Sequence, residues 1–307
     1  MRRGTNLVVY CLGIFTALVS LQCAAQGTRL VVGYANATEF LPAFVAKDKG
    51  LFAKHGLDVT MNAIATSSLV APALVSGSID IGINTPPNIL LAAEGGLDLV
   101  AVSGAARILK TNQRIALVTR PGLAADKAEE LKGKKIGVPG FNSSIEMVFR
   151  KWLLDNKVSP AQMTFIEVPL PQMLDMLKGG QVDAVTAIEP VLSRIVASGA
   201  GTKSVDFFSE VNHDVVGAFW VSTRSWASSH QQVIQAFRAA YTEAMAAIAQ
   251  NPEEARQTEV KWLKFSGRAF PNFSLEIRQA DLDLYQGIAL ELCVMRQRVD
   301  TSKLIWK

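Results

Sequence analysis

The chain has 307 residues, of which 49% are hydrophobic and 19% charged. That length is generous for one domain and comfortable for two, and so low a charge excludes a disordered chain. A formal net charge of +4 supplies no basic field of the kind that nucleic acid would answer, so no nucleic-acid partner is expected.

The first residues read as a leader. Arg2 and Arg3 precede an apolar run at 7–21, which Gln22 ends, and Cys23-Ala24-Ala25 follows in a small-x-small pattern. A basic start, a short apolar stretch and a small-residue exit describe a secretory signal peptide, cleaved after Ala25. A spanning helix needs about 20 apolar residues, more than this run provides. Cys23 leaves lipid attachment open, although Ser20-Leu21-Gln22 is a poor lipobox. With Cys11 and Cys23 in the leader, Cys293 is the only cysteine after it. It is expected as a small core residue in a helix.

After the leader, short apolar strands alternate with helical stretches. "RLVVGYA" (29–35) is a strand, and "FLPAFVAKDKGLF" (40–52) carries Leu41, Phe44, Val45 and Phe52 on a helical period. "LDVTMNAI" (57–64) and "IDIGIN" (79–84) are strands. "PPNILLAAEGG" (86–96) is a helix opened by proline and closed by glycine. "DLVAVSGA" (98–105) is a strand. The plan restarts at "KKIGVPG" (134–140), with a helix at 143–158, strands at 163–168 and 182–188, helices at 171–180 and 189–199, and a short strand at "VDFF" (205–208).

One phrase is written twice. In "SGSIDIGINTPPNIL" and "GGQVDAVTAIEPVL", Gly77 matches Gly180, Ile79 matches Val182, Asp80 matches Asp183 and Pro87 matches Pro190. Each copy is a helix ending at Gly, a strand entered through Asp and a helix opened by Pro. Two α/β lobes of similar plan are expected, each a mostly parallel sheet flanked by helices. "QRIALVTR" (113–120) and "GAFWVSTR" (217–224) read as two strands crossing between them. The expected division is 26–112 plus 222–307 for lobe 1 and 113–221 for lobe 2. Helices from 228 onward should pack back on lobe 1.

In open α/β sheets, ligands bind beyond the carboxyl ends of the strands, where helix N-termini offer unpaired N–H groups. The strand-to-helix joints in lobe 1 are "YANATEF" (34–40), "ATSSL" (65–69) and "NTPPN" (84–88). In lobe 2 they are "GFNSS" (140–144) and "IEPV" (188–191). Their Ser, Thr and Asn suit helix capping as well as binding. Where lobe 1 has Asn84-Thr85-Pro86, lobe 2 has Ala187-Ile188-Glu189. Glu189 suits either a helix dipole or a ligand's N–H groups. Tyr34, at the mouth of the first strand, could stack on a ligand. His55, His213 and His230 are too scattered in sequence to suggest a metal motif, and no catalytic or phosphate-binding signature occurs, so neither a metal nor a cofactor is expected.

Five blocks, "GYANATEFLPAFVAKDKGLFAKHGLDV", "LVSGSIDIGINTPPNIL", "ELKGKKIGVPGFNSS", "LKGGQVDAVTAIEP" and "QNPEEA", in this order behind a leader, resemble the substrate-binding proteins of ABC transporters. The similar group is the one for sulfonates, nitrate, taurine and thiamine pyrimidines. The resemblance covers nearly all of the chain after the leader. It implies a type II periplasmic-binding-protein fold, a monomer that captures a small solute by closing its lobes, a periplasmic location and a membrane permease as partner. By motif, the family's cleft positions fall on Tyr34, Asn36, Thr38, Ser67, Ser68, Thr85, Asn142, Ser143, Ser144 and Glu189, and Glu39 lies beside them. Sulfonate-type members often carry Trp before the second copy's proline, where this chain has Ile188-Glu189. The Cys-rich motif and histidine of pyrimidine-synthesising relatives are not found. With Glu39 and Glu189 near the cleft, a ligand carrying N–H donors is expected rather than a bare anion. A receptor domain for a membrane sensor, or an enzyme on the same scaffold, would use the same frame.

Overall fold

The computed structural model describes residues 27–111, 113–123, 125–211 and 214–307. The leader expected at 1–25, and His213, lie outside them. The first lobe opens with β1 (Thr28–Tyr34), α1 (Leu41–Asp48), α2 (Leu51–Lys54), β2 (Leu57–Ala63), α3 (Val70–Val75), β3 (Ile81–Asn84), α4 (Pro86–Glu94) and β4 (Leu99–Ile108). The second contains β5 (Ile115–Thr119), β6 (Lys135–Val138), α5 (Ser144–Asp155), β7 (Thr164–Glu167), α6 (Met173–Lys178), β8 (Ala184–Ile188), α7 (Val191–Ala197), β9 (Thr202–Lys203) and α8 (Phe207–Val211). The chain then returns through β10 (Val215–Thr223) to α9 (Arg224–Ser229), α10 (Gln231–Gln250), α11 (Pro252–Leu263), β11 (Asn272–Phe273) and α12 (Gln279–Glu291).

The two sheets run β11-β4-β10-β3-β1-β2 and β7-β6-β8-β5-β9. Each holds a parallel trio, β2-β1-β3 and β7-β6-β8. Antiparallel strands complete each sheet, so the sheets are mixed where the sequence suggested mostly parallel ones.

The repeated phrase builds the same joint twice. Gly77 and Gly180 both take positive φ, 72° and 66°, the left-handed stop that a residue with Cβ adopts at a cost. The Asp80 amide then donates to the Val31 carbonyl at 2.8 Å, and its Oδ2 accepts the Val31 N–H at 2.7 Å. Asp183 repeats this on Lys135, at 2.8 and 2.9 Å. The aspartate fastens each new strand to its parallel neighbour, at mid-strand Val31 in β1 and at the first residue, Lys135, of β6.

The two strands that flank the second lobe each pair within one sheet. β5 pairs only in the second sheet. β10 pairs with β4 from Val215 to Thr223 and with β3 at Phe219–Val221, all in the first sheet. β10 therefore belongs to the first sheet. The cause is the run Val215–Val221, buried throughout, which needs a central position with both faces covered. Beside this passage Arg107, 5% exposed, donates to Asp214 and Asp281 at 2.9 Å each. Burial pushes the Asp281 carboxyl up and Arg107 opposes it.

α10 packs on α1 and α2, and α11 on α1 and α10, while α12 touches both α4 and α5 and so lies against both lobes. Two local expectations fail. Phe207 and Phe208 open helix α8 rather than continuing a strand. Cys293 is exposed at φ 56°, past the end of α12, not in the core.

Candidate functional site: the cleft between the lobes

A cavity of about 80 Å³ lies between the lobes. Its walls are the carboxyl ends of the parallel strands and the segments that follow them. Ala37, Glu39 and Phe40 follow β1, Thr66 and Ser67 follow β2, and Ile83 and Thr85 mark the end of β3. From the second lobe come Pro139, Ser143, Ser144 and Ile145 around the start of α5, with Ile188 at the end of β8. The passage between lobes adds Ile108 and Ile115. This is where the strand directions of an α/β sheet place a ligand.

Hydrogen bonds cross the cleft. The Ser68 hydroxyl donates to Glu167 Oε1 at 2.8 Å, and the Phe141 amide donates to the same oxygen at 2.9 Å. Asn88 Nδ2 reaches the Phe141 carbonyl at 3.2 Å, and the Ser144 amide reaches Thr85 Oγ1 at 3.3 Å. The Thr38 amide donates to the Glu189 carbonyl at 3.4 Å. A Cβ on Gly140 would stand 2.3 Å from Ser67 Oγ and 3.1 Å from Ser67 N. Glycine at 140 is what lets the two walls approach this closely, and the lobes are closed on each other.

Of the eleven residues expected at the site, Glu39, Ser67, Thr85, Ser143 and Ser144 line the cavity. The other six do not. Tyr34 packs edge-on against Phe44 and Trp262, centroids 5.0 and 5.7 Å away. Asn36 faces a separate depression beside Pro190 and Arg194. Thr38 Oγ1 donates to buried Glu259 at 2.5 Å, tying the end of β1 to α11. Ser68 is the cleft-spanning donor to Glu167. Asn142 takes φ 58°, and its amide donates to Glu146 Oε2.

Glu189, 4% exposed, turns its carboxylate onto the first turn of α7. It accepts the Ser193 N–H at 3.2 Å and the Ser193 hydroxyl at 2.7 Å. The arrangement is that of a carboxylate answering a helix start. Glu189→Gln is therefore expected to leave solute affinity within about twofold and to lower stability by about 0.3–1 kcal/mol. Calorimetric titration and thermal melting of the one variant read both quantities.

Arg114 was not expected at the site. It ends the segment joining β4 to β5 and is 6% exposed. Its Nε and Nη2 both donate to Glu39 Oε1 at 3.2 Å, and Nη1 donates to the Ala269 carbonyl. Glu39 is equally buried, and its Oε2 accepts no hydrogen bond from another residue. Burial pushes the Glu39 carboxyl above its ordinary range, and Arg114 opposes the shift.

The model of the NMT1/THI5-like family matches residues 37–255. The chain is 24% identical over 247 residues to the taurine-binding periplasmic protein of Escherichia coli (strain K12), covering 78% of this chain and 72% of that protein. Its fold is that of the alkanesulfonate-binding protein SsuA from Xanthomonas axonopodis pv. citri, solved bound to MOPS, with a TM-score of 0.78, 19% identity and coverage of 92% and 99%. The nitrate-binding protein NrtA from Synechocystis PCC 6803 is similar, with a TM-score of 0.76, 17% identity and coverage of 91% and 86%. Two mixed sheets meeting at a cleft, and a family match over more than half of its length, place this chain in the NMT1/THI5-like family.

Proposed function

We propose that the protein captures a small solute between its lobes in the periplasm and delivers it to the membrane permease of an ABC importer, acting as a monomer. The observation that carries this reading is the cavity at the strand ends of both sheets, closed over by hydrogen bonds from Ser68, Asn88 and Ser144. Contacts that exist only when the lobes meet let a solute shift the open–closed balance by its differential affinity for the two states. The relatives named above are binding proteins, and Glu39, the acid at this cavity, is committed to Arg114. Binding is therefore favoured over catalysis.

Gly140 gives a test. In Gly140→Ala the new methyl would meet Ser67 across the closed cleft, so closure is obstructed while each lobe keeps its own packing. Affinity for the solute released from the purified protein should fall about tenfold, or about 1.4 kcal/mol, with thermal stability of the unliganded protein unchanged. Small-angle scattering should show the wild type contracting on adding that solute. A wild-type radius unmoved at saturation would sink capture by closure.

A further inference from the structure

We infer that the cleft selects a neutral, largely apolar solute that donates an N–H group to Glu39, and that it discriminates against anions. This rests on the solute-capture reading above. Most of the wall is hydrocarbon, from residues such as Phe40, Ile83, Ile108, Ile145 and Leu170. Against it stands one buried carboxylate with an oxygen that takes no hydrogen bond from another residue. A buried acceptor left unmade is costly, so a donor brought to it is favoured over a group that cannot donate.

The charge balance excludes the two ionic alternatives. Arg114 already pairs with Glu39, so the site has no net negative charge with which to draw in a cation. Among the described residues that line the cavity, none is Lys, Arg or His. The start of α5, which borders the cavity, would ordinarily welcome an anion. Here Glu146 answers it from within, accepting the Asn142 amide and pairing with Arg150 at 2.7 Å. An anion in the cavity would meet the Glu39 carboxylate and no cationic side chain on the wall. Ser67, whose hydroxyl has no partner, can donate to a solute carbonyl. A carboxamide supplies both the N–H donor and the carbonyl acceptor.

Four molecules of one shape separate the possibilities: benzamide, benzoate, benzylammonium and acetophenone, each titrated into the wild-type protein by calorimetry. Benzamide is expected to bind at least tenfold tighter than each of the others. Ser67→Ala, which leaves Glu39 and Arg114 intact, should weaken benzamide several-fold and leave it ahead of benzoate. Benzoate or benzylammonium binding as tightly as benzamide would overturn the assignment, and so would acetophenone, which has no donor. Failure of all four would overturn it too. Solute capture itself is judged separately, by mass spectrometry of what the purified protein releases: a released anion that contracts the protein in scattering leaves capture standing and ends the neutral-donor class.

Discussion

Arg114→Ala is expected to destabilise the protein by about 3–5 kcal/mol, because removing one partner of a buried ion pair strands the other. Glu39 would keep its burial and lose both guanidinium hydrogen bonds, and the Ala269 carbonyl would lose its donor. The loss should depend on pH in a definite direction. Burial raises the Glu39 carboxyl above its ordinary range even with Arg114 present, and the Glu259 charge adds to the shift. A raised carboxylate favours the folded state most below the unfolded value and loses that contribution as pH rises through the folded value. Without Arg114 the shift grows, so the variant should fall further behind the wild type near neutrality than in acid. Urea unfolding at about pH 7.5 and about pH 5 measures the difference. Equal losses at the two values would mean that Arg114 acts through packing and not through Glu39.

Trp220→Ala is expected to cost a similar 3–5 kcal/mol, the range for removing a large aromatic from a core. Trp220 is fully buried on β10. Its ring meets Phe40 at 5.4 Å, Phe237 at 5.3 Å and Tyr241 at 6.0 Å, all near edge-on. It joins the central strand of the first sheet to α10 and supports the ring of Phe40, a wall of the cleft. Stability and solute affinity should therefore fall together, whereas Gly140→Ala lowers affinity alone. Trp220→Phe, which keeps most of the ring volume, should recover much of both. Full affinity in Trp220→Ala would show that Phe40 needs no support from the sheet.

The scaffold was legible where local chemistry decides it. Gly77 and Gly180 announce left-handed stops, and Asp80 and Asp183 sit where a side chain can reach the backbone of the adjacent parallel strand. The strand-to-helix joints were legible too, because strand direction alone decides which ends face the cleft. What could not be read is where a side chain turns once it is there. Thr38 finds Glu259 from 221 residues away, and Ser68 finds Glu167 from 99. Nothing in either joint marks those partners. Glu189 was placed at the correct joint, but its direction depends on the backbone at the end of β8, which turns the carboxylate to Ser193. Arg114 belongs to no motif. The one available signal was an arginine set directly against the apolar run that enters a fully buried strand, where a charge must find a partner. The two strands flanking the passage between lobes, β5 and β10, are plain in the sequence, but pattern alone does not say which sheet each strand joins.

Ile108 and Val215 are register partners on β4 and β10, so the chain leaves the first lobe and re-enters it at points about 5 Å apart. In genetic terms the second lobe is a single insert, spliced into what would otherwise be a hairpin. Neighbouring entry and exit points are the condition under which domain insertion is tolerated. Segment 109–214 carries the α5 wall of the cleft, with Ser143 and Ser144, and also Arg114. The flanking sequence carries Glu39 and Ser67. Recombination at those two points between relatives would pass on one wall of the cleft and not the other, separating the carboxylate from the guanidinium that neutralises it. Chimaeras cut there should inherit solute preference by halves and would need position 114 matched to position 39 to fold well.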